Sequence, residues 1–493
     1  MMFKKNLFQV CLSSYVLVIL AAFCTVSCSQ ETKTESTSST AQKYSLTDPI
    51  IGVGKADISI SATNAPVGRA YLVGTYADQL FRIDTAQVSP EGKLRFKKDP
   101  AFPQGHYYVT FENNTNFQLI LGEDQTMEIS VDVKAVGRSF TSDNKENKLL
   151  YETMRRESAM QPEFNAARTK LKALQEGTKE YEDARSEQLA LNTKRKAMLE
   201  EVFANNPKSM FVAFKKSGQN PEVRMGIPEE SRIAHYRKDF WTSVDFSDTR
   251  LLRTPVINNK LKRYMKELTP QHPDSIVQSA TWLIDSALPY PEYFKFFANW
   301  VPLNYEPTKT TLMDPEMVYT NVIQRYHTFD RAYWADSTLV IGLQRRASEM
   351  AGSLLGLKGP NVTANDINGA PKSIYDIKED YIIVYLYSPD CEHCKEETPK
   401  LIKWYLKSKP FRANVYSIAV KTTDAEWREY AASARIPWTN VYDPTNRAIY
   451  AKYFVDITPE MYVLNKDRTI IAKNIKTHQL DEVINRDRQK SRY

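Results

Sequence analysis

Tyr381-Ile382-Ile383-Val384-Tyr385-Leu386-Tyr387 runs directly into Ser388-Pro389-Asp390-Cys391-Glu392-His393-Cys394-Lys395. The first seven residues are apolar or aromatic on both faces, as a strand buried at the centre of a covered sheet requires. Pro389 and Asp390 stop the strand, and 391–408 reads as a helix, so both cysteines fall where a central strand becomes a helix.

Working outward, the spacing predicts a strand over Val415–Val420, a helix over 424–434 and a short helix near 445–452. A hairpin follows, Met461–Leu464 and Thr469–Ala472 around Asn465-Lys466-Asp467, and a C-terminal helix closes the chain. Residues 356–493 therefore read as an α/β domain with a parallel pair and an antiparallel hairpin edge.

At a helix N-terminus, free backbone N–H groups and the helix dipole favour a thiolate at Cys391. Cys394, one turn on, is near enough to form a Cys391–Cys394 disulfide. Position assigns the roles: the exposed Cys391 attacks a disulfide, and the more buried Cys394 resolves the mixed disulfide. His393 between them can add positive charge near Cys391. Of the five cysteines, Cys11, Cys24 and Cys28 lie in the first 28 residues, which leaves no disulfide framework for the folded parts. One C-x-x-C without a second pair, in a chain whose six histidines are scattered, is not a zinc site, and no metal is expected.

These residues resemble the thioredoxin-fold domain of the TlpA/ResA-like thiol-disulfide oxidoreductases, within the AhpC/TSA–redoxin superfamily. The resemblance covers about the last 135 residues. It implies protein disulfides or dithiols as substrates, no cofactor, and a cis-proline facing the dithiol; Thr458-Pro459 fits that place, with Thr458 offering its backbone to a bound peptide. It also implies that Glu397, six residues after Cys391, accepts the proton of Cys394, and that Pro399 kinks the active-site helix. Thioredoxin carries an Asp on the central strand where this chain has Tyr385. Trp438, after Ile436-Pro437, reads as core.

Ahead of this domain, Lys4 and Lys5 followed by the apolar run Tyr15–Phe23 read as a signal peptide over 1–27, too short to span a bilayer comfortably. Ser27-Cys28 resembles a bacterial lipobox, with Thr25 departing from its usual apolar residue. Cys28 is then the lipidated N-terminus, 28–43 a Ser/Thr-rich tether reaching roughly 50 Å, and the expected location the cell envelope, on the periplasmic side of the outer membrane. The lipid is the only membrane contact expected, so a reductase needs a separate membrane electron donor.

Period-two runs over 44–135, such as Ile58/Ile60, Tyr71/Val73, Phe81/Ile83 and Tyr107/Val109/Phe111, predict an antiparallel β-sandwich. Over 141–355 the signal is helical, opening on Thr141-Ser142-Asp143 as a cap and cut into short helices by prolines at 255, 270, 273, 289, 291, 302 and 307. The aromatic stripe of Tyr290, Tyr293, Phe294, Phe296, Phe297 and Trp300 reads as core, with a peptide-binding groove as the alternative. The full arrangement resembles Bacteroidota lipoproteins that carry β and helical domains ahead of a thioredoxin-like one.

Composition agrees with a multidomain folded chain: 493 residues, 42% hydrophobic, 25% charged and a mean hydropathy of −0.48 argue against a polytopic membrane protein. A net charge of +7 spread along the chain gives no nucleic-acid patch. Besides the oxidoreductase reading stand a scaffolding lipoprotein with a regulatory dithiol, and a thiol peroxidase. The peroxidase needs a proline where Val384 stands, although Ser388 supplies its hydroxyl.

Overall fold

A computed structural model of the chain describes residues 52–490 apart from Met225 and 444–451. The signal segment, Cys28, the tether and nearly all of the helix expected near 445–452 lie outside the described residues. The chain divides into two compact units between Leu268 and Thr269.

Unit 1 opens with eight strands: β1 (Ala56–Thr63), β2 (Gly68–Tyr76), β3 (Gln79–Val88), β4 (Lys93–Lys98), β5 (Gly105–Phe111), β6 (Asn116–Leu121), β7 (Thr126–Asp132) and β8 (Thr141–Ser142). They form two four-stranded sheets, ordered β4-β1-β7-β8 and β3-β2-β5-β6, around one apolar core. The pairing is antiparallel as expected except between β1 and β7, which run parallel. In β2 the inward face is also the opposite of the one the sequence suggested. Ala70, Leu72 and Gly74 are buried, while the Tyr71 ring lies outward under the guanidinium of Arg82, 4.1 Å from its centroid. On β3, Phe81 and Ile83 likewise stay exposed, and Ala86 and Val88 are buried.

Helices follow: α1 (Val136–Ser139), α2 (Lys145–Ala173), α3 (Lys179–Asn205), α4 (Met210–Ser217), α5 (Glu229–Asp239) and α6 (Pro255–Arg263). The cap of α2 is Asn144, whose side chain accepts from the N–H groups of Glu146 and Asn147, and not the Thr141-Ser142-Asp143 triplet. Thr141 and Ser142 pair with β7 instead, which moves the turn into the helix one residue on. Asn147 then covers the edge of β6. Its amide oxygen accepts from Ile120 N–H and its amide nitrogen donates to Ile120 C=O, both at 3.0 Å, so a helix side chain completes the sheet edge.

Unit 2 begins with α7 (Pro273–Ala287), α8 (Pro291–Asn304), α9 (Pro315–Tyr326) and α10 (Ser337–Ala351). The helical stretch read as one domain over 141–355 is thus shared between the two units. Proline opens α6, α7, α8 and α9 at the first turn, where its missing N–H costs no hydrogen bond. Tyr293, Phe294, Phe297 and Trp300 of α8 are buried, as expected of a core stripe, while Tyr290 and Phe296 are only half-buried.

A small hairpin, β9 (Thr363–Asn365) and β10 (Pro371–Ser373), precedes the main sheet of unit 2. That sheet is built from β11 (Tyr381–Tyr387), β12 (Ala413–Ala419), β13 (Thr439–Tyr442), β14 (Glu460–Leu464) and β15 (Ile470–Lys473), in the order β13-β12-β11-β14-β15. β11, β12 and β13 run parallel, and β14 and β15 antiparallel to their neighbours, with every residue of β11 buried. The connecting helices are α11 (Glu392–Tyr405), α12 (Asp424–Ala434) and α13 (Leu480–Lys490). One sheet face packs Leu401, Trp427, Leu480 and Ile484; the other packs Val362, Ile374, Tyr416 and Tyr453. This is the thioredoxin fold expected for the C-terminal region.

A buried charge cluster joins the helices of unit 2 to this sheet. Lys473 of β15 has no exposed surface, and its Nζ lies 3.2 Å from Glu316 and 3.5 Å from Asp314, at the start of α9. Burial alone would discharge the ammonium, but Glu316, Asp314 and Glu460 outweigh it and hold the pKa above its ordinary value. Asp314 also accepts from Leu355 N–H at 2.7 Å, and Asn474 donates to Glu316. No sequence pattern had linked these residues.

Candidate active site

The loop Ser388–Asp390 carries the chain from β11 into α11, and Cys391 is the N-cap of that helix. Its Sγ accepts from Cys394 N–H at 3.2 Å, a helix-end donor that it shares with the Cys391 carbonyl at 3.0 Å, so the amides of the first turn face the sulfur. Cys391 is half-buried and Cys394 fully buried, and both are free thiols. Burial, with Cys391 close by, pushes the Cys394 thiol up to about 12. The two sulfurs are therefore unequal in the way the sequence suggested: one faces outward at a helix end, the other is sealed behind it.

Thr458-Pro459 is a cis peptide. It brings the Thr458 carbonyl to the dithiol, where the Cys391 thiol donates to it at 3.1 Å. The predicted partners Cys391, Cys394, Thr458 and Pro459 thus meet in one place, although 67 residues separate Cys391 from Thr458.

His393 stands exposed on the first turn of α11. Glu397 lies three residues beyond Cys394 on the buried side of α11, since residues i and i+3 share a helix face. Its carboxylate is occupied: Oε1 accepts from Thr477 N–H at 2.7 Å, and Oε2 from Lys400 Nζ at 3.2 Å. Burial raises its pKa, but the Thr477 and Lys400 bonds prevail and hold it below the ordinary carboxylate value. Glu397 is a standing charge beneath the dithiol, tied to the loop that leads into α13. It also lines a groove of about 480 Å³ with Lys400, Trp404, Lys476 and Asp481.

Beneath the cysteines lies a polar network that the sequence did not announce. The Tyr385 hydroxyl is 3.0 Å from Thr398 Oγ1, and the Tyr430 hydroxyl donates to the same oxygen at 3.0 Å. Tyr387 donates to Asn440 Oδ1, Ser417 donates to the same oxygen, and Trp438 Nε1 donates to Ser417 Oγ at 2.8 Å. Trp438 is core, as read. The tyrosine alternation at 385 and 387 was visible in the sequence, but only the fold shows which hydroxyls it brings together. Among the described residues no group of three or more His, Cys, Asp or Glu side chains is placed to hold a metal ion, and no helix is long and apolar enough to cross a membrane.

Residues 355–473 match the model of the AhpC/TSA family. No curated protein matches the chain. Among solved structures, a thioredoxin-like protein from Bacteroides caccae is 21% identical, over 54% of this chain and 97% of its own, with a TM-score of 0.46. A domain of a possible thiol-disulfide isomerase from Cytophaga hutchinsonii is 35% identical, over 29% of this chain and 98% of its own, with a TM-score of 0.27. A putative thiol:disulfide interchange protein DsbE from Chlorobium tepidum is 14% identical, over 27% of this chain and 96% of its own, with a TM-score of 0.25.

Proposed function

We propose that this chain, whose C-terminal region carries the thioredoxin fold, is an envelope-tethered thiol-disulfide oxidoreductase that acts on protein disulfides, working as a reductase. The observation that carries the reading is the unequal pair: a half-exposed Cys391 at a helix N-terminus, a sealed Cys394, and the cis Thr458 carbonyl 3.1 Å from the outer sulfur. Cys391, as thiolate, attacks one sulfur of a substrate disulfide; an S–S bond forms, the substrate bond breaks, and one substrate thiolate leaves. Cys394 then attacks Cys391 Sγ, the second substrate sulfur leaves with its electron pair, and the protein holds the Cys391–Cys394 disulfide. Two electrons have passed to the substrate. Cys394 cannot meet an external disulfide, which fixes the order of the two steps.

The Thr458 carbonyl, released from the Cys391 thiol once that proton is lost, is free to accept a substrate N–H. The buried Glu397 carboxylate supports the reducing direction. Negative charge beneath the dithiol disfavours the thiolate and so favours giving its electrons away. The exposed His393 is the opposing influence. A membrane donor must restore the dithiol, and Cys28, if lipidated, holds the chain at the periplasmic face of the outer membrane.

The test is trapping and poise on the full chain. Cys394→Ser should accumulate mixed disulfides with envelope proteins, Cys391→Ser should accumulate none, and equilibration with glutathione should place the pair near the roughly −270 mV of thioredoxin. A potential near the roughly −120 mV of the strongest dithiol oxidants would reverse the direction, and a pair that does not exchange would leave a scaffold.

A further inference from the structure

The loop that brings Thr458 to the dithiol is fastened residue by residue, and part of the fastening comes from helices that precede the α/β domain. Phe454, 6% exposed, packs against Tyr319 and Ile323 of α9 and Ala347 and Met350 of α10. Its N–H donates to Ser353 Oγ at 3.2 Å, and its carbonyl accepts from the Tyr462 hydroxyl at 2.9 Å. Val455 is buried in the core of the sheet. The Asp456 carboxylate accepts from Arg346 of α10 at 3.1 Å, and the same guanidinium lies 5.9 Å from the centroid of the Phe454 ring. Ile457 is exposed, and at the next residue the Thr458 carbonyl meets Cys391. The Arg346–Asp456 pair is thus the last tie from the helices before the site, two residues short of Thr458. Both side chains are about a third exposed. A pair so open to solvent adds little to folding, but it fixes where the end of the loop stands.

On the exchange reading above, we infer that Arg346 is a positioning residue for substrate. Through Asp456 it holds the Thr458 carbonyl where the backbone of a disulfide-bearing polypeptide can donate to it. A carbonyl already in place spares each binding event the entropy of ordering the loop. The benefit is confined to substrates with a chain to pair: a small disulfide has no backbone N–H to offer Thr458. Loosening the loop does not blunt Cys391 itself, because the bond lost in the free protein is one that its thiol donates, and the attacking species is the thiolate. The helices of unit 2 thereby acquire a task in the reaction, as the frame of the loop that reads the substrate.

Two disulfides of different size test this, in the full chain with Cys11, Cys24 and Cys28 replaced by Ser and the remaining pair reduced beforehand. Insulin supplies a disulfide within polypeptide, and its reaction is followed by alkylating the Cys391 and Cys394 thiols that remain. Dithiobis-nitrobenzoate supplies one without a chain, and its reaction is followed by the release of thionitrobenzoate. Arg346→Met keeps an apolar stem beside Phe454 and cuts the tie, and Asp456→Asn cuts it from the other side. Each should raise the half-saturating insulin concentration about five- to tenfold, the worth of one hydrogen bond to substrate, while the rate with dithiobis-nitrobenzoate does not fall. Arg346→Lys, which keeps a cation opposite Asp456, should recover the parent value. Glu306→Gln weakens the other partner of Arg346, 3.3 Å away, without touching the loop, and should shift neither reaction. A half-saturating concentration within twofold of the parent in both Arg346→Met and Asp456→Asn would overturn the positioning role alone. So would a parallel fall with dithiobis-nitrobenzoate, the mark of a generally loosened site, or an equal shift in Glu306→Gln. A parent chain that does not react with insulin would overturn the exchange reading, and the positioning role with it.

Discussion

Replacing Glu460 by Gln isolates one buried proton. Glu460 follows the cis-proline, is 4% exposed, and faces Lys473 of β15, Glu316 at the start of α9, Tyr462, and Asp456 of the preceding loop, which pairs with Arg346 of α10 at 3.1 Å. Burial pushes its carboxyl from the ordinary 4.5 to about 8, against the opposing pull of Lys473. A folded-state pKa raised in this way gives stability that is fully present below pH 4.5 and lost as pH climbs through about 8. At about 1.4 kcal/mol per unit, the loss is roughly 4–5 kcal/mol across that window. The amide of Glu460→Gln keeps the shape of the neutral acid and cannot ionise. The variant should match the parent near pH 4.5 and gain on it at about 1.4 kcal/mol per pH unit, levelling above pH 8. Urea unfolding of the full chain, followed by alkylation of the otherwise inaccessible Cys394, reads the opening of unit 2 at each pH. A stability difference that stays flat from pH 5 to 9, or favours the parent at the alkaline end, would refute the assignment of a neutral Glu460.

Other substitutions probe the same structure. Lys473→Met removes the Nζ that lies 5.1 Å from the Tyr462 ring centroid and strands Asp314 and Glu316, and should cost about 3–5 kcal/mol of unit 2 stability at neutral pH, measured in the same unfolding assay. Glu397→Gln weakens the bonds from Thr477 and Lys400 and should cost about 1–3 kcal/mol at pH 7. Because the folded pKa of Glu397 is depressed, that deficit should vanish as acidification protonates the parent. Asn147→Ala uncovers both Ile120 backbone groups and should cost roughly 2–5 kcal/mol of unit 1 stability, read by calorimetry. Cys28→Ala should move the chain from the membrane to the soluble fraction after cell lysis; a variant that stays with the membrane would argue against a lipid anchor.

What the sequence made legible was local. A strand apolar on both faces, a breaking Pro389-Asp390 and a cysteine pair at one-turn spacing sit within fifteen residues, and each piece constrains the next. Thr458-Pro459 was reachable through resemblance, because a cis-proline opposite a dithiol belongs to the fold. What escaped was set by pairing at a distance. The parallel contact of β1 with β7 joins segments about seventy residues apart, and nothing in either strand's alternation reveals its partner. The inward face of β2 turned on whether Tyr71 or Ala70 was buried, and Arg82, on the neighbouring strand, settled it. Lys473 lies one residue past the expected strand Thr469–Ala472 and received no reading from the sequence; only the return of Asp314 and Glu316, more than 150 positions upstream, makes it a core residue. Thr398 is one polar residue on a helix until two tyrosines from different elements meet on its hydroxyl.

The Lys473 cluster also says something about inheritance. The segment that looks self-contained begins near residue 355, yet the carboxylates that neutralise its buried ammonium are supplied from 314 and 316. A recombination joint at 355 would deliver a redox module with an orphaned cation in its core, and a lineage that made such a cut would have to replace Lys473 in the same stroke. Joints before Thr269 carry no such penalty. Gene fusions that borrow this module should therefore travel with α7–α10 attached, and those that shed the helices should show an apolar residue where Lys473 stands.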